Sequence, residues 1–177
     1  MKLIQRYARK NVITSFLQAC RYLLKAAKYG DVKDAIGWVF CCNDSCADND
    51  ARRSTPLIYA ATYGHLRVVR ALLESGVNVE RTDNYRSTAL HAAAYYGHLD
   101  VCRLLLDWGA KVDPLDNFKD TPLHEAARKG HLSVVKLLVE RGADVRLKNY
   151  KNQTARELAR KVGKEDVVKC LDSVSHG

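Results

Sequence analysis

At 177 residues, 47% of them hydrophobic, the chain has enough material for one domain with a continuous core. No apolar run approaches the ~18 residues of a membrane-crossing helix, and the stretch Val12 to Leu17 is broken by Thr14 and Ser15 and lacks a small-residue cleavage site, so neither a span nor a secretory signal is expected. The net charge of +9 is uneven: residues 1–30 hold seven Lys or Arg and no Asp or Glu, whereas residues 51–145 carry 13 basic against 11 acidic side chains.

Residues 1–13 form a basic N-terminal segment. A helix over residues 3–8 would put Leu3, Ile4 and Tyr7 on one face with Lys2, Arg6 and Arg9 opposite, but the stripe loses register at Val12 and Ile13. A free membrane-binding helix holds its stripe longer, so this segment is expected to fold over the first helical unit and cover its apolar end. Its charge leaves two readings open: a solvated cap, or a surface for acidic protein, lipid headgroups or nucleic-acid phosphate. From Thr14 or Ser15 to Tyr29 the pattern predicts a helix with Phe16, Leu17, Leu23 and Leu24 inward, opening an N-terminal capping unit over 14–49.

Three regular units come next, over 50–82, 83–115 and 116–148, and a C-terminal capping unit occupies 149–177. Their register is set by Thr55, Thr88, Thr121 and Thr154, each 33 residues after the last, with Gly64, Gly97, Gly130 and Gly163 nine residues further on. Such a period marks a stacked array in which no unit buries its own apolar face. In the third unit Leu123, Ala126 and Ala127 lie on one side of a short first helix, begun by an N-capping Thr121 with Pro122 in its first turn and ended by Gly130. The second helix carries Leu132, Val134, Val135, Leu137, Leu138 and Val139, a stripe broad enough to be buried on two sides. Gly142 ends it, and Val145 returns to the core before a polar hairpin at Asn149 to Asn152.

The strings Thr88-Ala-Leu-His-Ala-Ala-Ala, Thr121-Pro-Leu-His-Glu-Ala-Ala, Gly-His-Leu, Val134-Val-Lys-Leu-Leu and Gly142-Ala-Asp-Val resemble the ankyrin repeat, in one register from about Asp50 to Leu171. The resemblance implies an all-α repeat: a solenoid of about five helix-turn-helix units with β-hairpin loops and atypical capping units. The first unit departs from the spacing, since Gly30 to Gly64 is 34 residues. Arg86 and Lys119 stand where the repeat pattern carries Gly at the loop tip, and Glu80, Asp113 and Arg146 stand where it usually carries Asn. An array capped at both ends is expected to be a monomer.

Carried over residue by residue, the resemblance implies a partner-binding concave groove. Its loop tips supply Arg52, Tyr85, Phe118 and Lys151. Its first helices supply Tyr59, Tyr63, Tyr95, Tyr96, Arg128 and Lys129. An aromatic middle with basic flanks implies a protein or extended peptide bearing apolar and acidic residues, since Tyr and Arg anchor interfaces by burying area while keeping polar contacts. The alternative is binding of nucleic acid or anionic membrane through the basic N-terminal segment.

No catalytic constellation emerges. His91 and His124 recur at the same repeat position, as do His65, His98 and His131, and a residue present in several units serves the unit's architecture. There is no phosphate-binding Gly-Lys-Ser/Thr loop, nucleophile elbow or dinucleotide fingerprint, and His124-Glu125 lacks the second His of a zinc helix. No cofactor is expected. Cys41, Cys42 and Cys46 cluster without a second ligand pair, and Cys46, Cys102 and Cys170 fall where small core hydrophobes belong. Scattered free thiols fit a reducing compartment, cytoplasm or nucleus.

Overall fold

The computed structural model describes residues 24–32 and 55–174. The basic N-terminal segment, most of the first capping unit, Arg52, and the cysteines at 20, 41, 42 and 46 lie outside the described residues. Residues 24–29 are helical. After them come α1 (Pro56–Thr62), α2 (Leu66–Glu74), α3 (Ala89–Tyr96), α4 (Leu99–Asp107), α5 (Pro122–Lys129), α6 (Leu132–Glu140), α7 (Ala155–Lys161) and α8 (Glu165–Val174). Odd-numbered helices pack on one another in one row, even-numbered helices form the second, and each pair is joined by a tight loop. Among the described residues the connections are turns and contain no strand.

Each first helix starts the same way. Thr55, Thr88, Thr121 and Thr154 are extended N-caps whose hydroxyl oxygens accept the backbone N–H three residues on. In α3 and α5 the third helical residue is His, and its Nδ1 accepts the N–H of Thr88 or Thr121 at 3.2 Å, closing a capping box. The other ring nitrogen reaches the next unit: Nε2–H donates to the Asp120 carbonyl from His91 at 3.0 Å and to the Gln153 carbonyl from His124 at 3.1 Å. A carbonyl only accepts, so Nε2 holds the proton and the buried rings are neutral. In the last unit Glu157 replaces the imidazole, accepting the Thr154 N–H through its carboxylate.

Small residues let the first helices approach. Ala60, Ala93, Ala126 and Ala159 are fully buried at successive 33-residue steps. Leu57, Leu90 and Leu123 stand beside them in the core, as do Ala61, Ala94 and Ala127. The final unit departs at both of these steps: Arg156 replaces the leucine and pairs with Asp172, and Arg160 is exposed. The second row contributes Val68, Val101, Val134 and Val167, and Cys102 sits in a valine slot with no exposure. Burial pushes the Cys102 thiol up to about 12, which removes it as a nucleophile. Val79, Val112 and Val145 return to the same core.

A second set of imidazoles locks the turns between paired helices. His65, His98 and His131 precede α2, α4 and α6, and their Nε2–H groups donate to the carbonyls of Lys28, Thr62 and Tyr95, each at 3.0 Å. The rings lie over Gly30, Gly64 and Gly97 of the preceding unit, where an added Cβ would come within 2.8, 2.6 and 2.5 Å of Nδ1. These glycines also have φ of +79°, +72° and +77°. Space and backbone conformation both demand Gly there.

Two consequences are measurable. Gly142 has φ +89° with nothing near its absent Cβ, so Gly142→Ala is expected to cost only left-handed strain, ~1–2 kcal/mol. Gly97→Ala should cost at least ~1 kcal/mol more, because His131 must be displaced; urea unfolding of both variants checks the order. Burial, the largest influence on each, holds His91 and His124 below the ordinary histidine value, against the upward pull of their carbonyl bonds. A depressed base protonates more readily when unfolded, so its stabilising contribution is full above pH ~6.5 and is lost as pH falls below it. From pH 7 to pH 5 the unmodified chain should therefore lose melting temperature relative to the His91→Gln/His124→Gln variant.

Candidate functional site: an aromatic cleft with an acidic floor

The loop tips are built by one device repeated at a 33-residue step. Asp83, Asp116 and Asn149 each present Oδ1 to two backbone N–H groups: those of Tyr85 and Ser87, of Phe118 and Asp120, and of Lys151 and Gln153, at 2.8–3.1 Å. Each turn then needs one left-handed residue, supplied by Arg86, Lys119 and Asn152 at φ of 60°, 56° and 58°. Arg86 and Lys119 thus adopt the conformation for which the repeat pattern uses glycine. Neighbouring tips are joined through their backbones, with Asn117 N–H donating to the Tyr85 carbonyl and Tyr150 N–H to the Phe118 carbonyl, both at 2.9 Å. The slot after the second helix also links units: Glu80 accepts the Lys111 N–H at 3.0 Å and Asp113 the Asp144 N–H at 2.9 Å.

Between these tips and the first helices lies a cleft of about 650 Å³. Of the aromatic residues expected in the groove, Tyr85, Tyr95, Tyr96 and Phe118 line it. Tyr150 joins them, its ring 5.8 Å from that of Phe118. Tyr85, Phe118, Tyr96 and Tyr150 are 40%, 46%, 50% and 56% exposed, so their rings face solvent rather than the core. Tyr63 stacks with its own His65 and lies outside the lining. Tyr59 is half-buried against the core.

Of the expected basic residues, Arg128, Lys129 and Lys151 are engaged rather than free. The Lys129 ammonium sits 4.1 Å from the centroid of Tyr95, one unit earlier, and Lys151 sits 5.2 Å from that of Tyr150. Both distances are cation–π contacts. Arg128 turns into the cleft, donating through Nη2 to Asp120 Oδ2 and pairing with Glu125 Oε1 at 3.1 Å. Asp120 Oδ1 accepts the Asn149 side-chain amide at 3.0 Å. Asp116, Asp120 and Glu125 each bring a carboxylate oxygen within 4.8 Å of the others.

Sequence reasoning does not join these three carboxylates into one floor. Its members come from a turn, the end of that turn and a helix, so no local motif announces them. Glu125 is the least satisfied: its side chain is 13% exposed, and Oε2 has no hydrogen-bond partner. Burial, opposed by the Arg128 charge, raises its carboxyl to about 7. For an acid whose value is raised on folding, the stabilising contribution is full below the unfolded value near 4.5 and is lost as pH climbs through ~7. Ionised Glu125 therefore destabilises the fold by up to ~3 kcal/mol. Glu125→Gln should melt higher than the unmodified chain at pH 8, the gap closing towards pH 4.5. A gap independent of pH would show that the carboxyl is not the cause.

Comparison with known families accords with the architecture. A family model described as ankyrin repeats, in three copies, matches residues 23–116, and the single ankyrin repeat matches residues 118–150. Repeats of this kind mediate protein–protein interaction and are typically non-enzymatic. Among the described residues no helix is long and apolar enough to cross a membrane. With most of its length matched and its threonine caps, glycine turns and paired helices in register, the chain belongs to the ankyrin-repeat family.

Proposed function

We propose that this chain is a protein-interaction module whose concave side grips an extended peptide or protein face through the aromatic cleft. One observation carries the reading: four aromatic rings, Tyr85, Tyr96, Phe118 and Tyr150, are 40–56% exposed around a single cleft. Exposed aromatic surface of this kind is retained where a partner buries it. Tyr85 and Phe118 project from turns whose backbone N–H groups are satisfied by Asp83 and Asp116. Tyr95 and Tyr96 meet edge to face at 4.9 Å and form the helical wall.

Apolar side chains of the partner fill the spaces between these rings, and its acidic residues pair with the ammonium groups of Lys129, Lys151 and Lys161 along the edge. Arg128 is held in the floor of the cleft by Asp120 and Glu125. The array acts as an adaptor or scaffold, a rigid frame selecting a partner rather than transforming it, in the cytoplasm or nucleus, where its thiols stay reduced. Binding of nucleic acid or anionic membrane through residues 1–13 is the competing mode.

A pull-down from cell lysate compares the unmodified chain, Tyr85→Ala/Phe118→Ala, and a chain lacking residues 1–12. Truncating two interface anchors commonly weakens binding by ~2 kcal/mol or more each, beyond a hundredfold together. Proteins lost with the aromatic variant and retained by the deletion are the expected result. Retention by the aromatic variant, with nucleic acid or lipid lost on deletion, would replace the groove with the basic segment.

A further inference from the structure

Resting on the groove reading, we propose that the cleft takes one lysine or arginine side chain of its partner, its stem against the aromatic walls and its cationic head on Glu125. Charge complementarity makes the choice. Asp116, Asp120 and Glu125 gather carboxylate oxygens within 4.8 Å of one another, and among the described residues Arg128 is the one guanidinium bonded among them. A partner carboxylate brought here would meet Asp116, Asp120 and the ionised share of Glu125, set against a single guanidinium. A partner cation meets their surplus.

The demand for a donor is concrete. Asp116 Oδ1 is held by the N–H groups of Phe118 and Asp120, and both oxygens of Asp120 are occupied, by Asn149 and Arg128. Glu125 Oε2 has no donor and is shielded from solvent. An incoming cation reaches it as Arg128 gives way; that side chain is 36% exposed, and its own Nε lacks a partner. The rings above already hold ammonium groups, Lys129 over Tyr95 and Lys151 over Tyr150, so the walls suit a cation's stem and head alike. The edge lysines and the floor carboxylates thus ask for opposite charges at different depths. The partner segment carries a basic residue at its deepest point with acidic residues beside it.

The exchange with Arg128 sets two variants in opposite directions. Peptides are selected from a random phage-displayed library on the full chain, and one selected peptide is measured by fluorescence anisotropy. The expected peptides carry a Lys or Arg whose change to Gln weakens binding about tenfold or more. Glu125→Gln should weaken the same peptide comparably, and Arg128→Gln should tighten it severalfold by removing the resident competitor. The change made in the peptide needs no altered protein, so misfolding of a variant does not cloud the result. Selected peptides that bind through Tyr85 and Phe118 but ignore Glu125→Gln, or tolerate loss of their basic residue, would overturn the inference and leave the groove reading standing. Peptides that bind equally to Tyr85→Ala/Phe118→Ala would overturn both.

Discussion

One constraint governs the array: each unit must hold the next at a fixed distance through imidazoles that bond across the seam. His91 and His124 close their own helix caps on one side and donate to the following unit's backbone on the other. His98 and His131 reach back to carbonyls of the preceding unit, over glycines that leave room for the ring. Alanine contacts between first helices form only at that separation. The loop tips inherit it, since Asn117 and Tyr150 bond to carbonyls one unit back at the same step. Cleft width is therefore a property of the whole stack.

A rigid frame frees other positions for recognition. Tyr85 and Phe118 occupy a turn position whose backbone is satisfied by Asp83 and Asp116 whatever side chain it bears. At the next equivalent step stands Lys151, over the ring of Tyr150. The helical positions behave alike: Tyr95 gives way one unit later to Arg128, which converts an aromatic wall into an ion-paired floor. Chemistry along the groove therefore changes from unit to unit while the frame does not. Preorganisation of this kind favours binding by reducing the ordering left to be done at association.

Much of this was legible in the sequence because the frame repeats and the period is visible. Threonine caps, left-handed glycines, the alanine seam and the architectural role of the histidines all come from residues recurring at a 33-residue step. The site was legible only in part, for the converse reason: the residues proposed for recognition are those that do not repeat. Tyr150 aligns with Asn84 and Asn117, so its step reads as polar turn until its ring is seen beside Phe118. Tyr59 and Tyr63 belong to the right helix, but Tyr59 is half-buried against the core and Tyr63 lies outside the cleft lining. The acidic floor joins Asp116, Asp120 and Glu125 only by folding.

The most direct test of recognition by the concave side places a photo-crosslinking amino acid at Phe118, on the cleft, or at Arg103, on the exposed side of a second helix. Both positions are solvent-exposed, so neither substitution disturbs the core. Irradiation in cell lysate should join proteins to the chain from position 118 and not from position 103. Equal capture at both sites, or capture from position 103 alone, would contradict the account and move recognition off the groove.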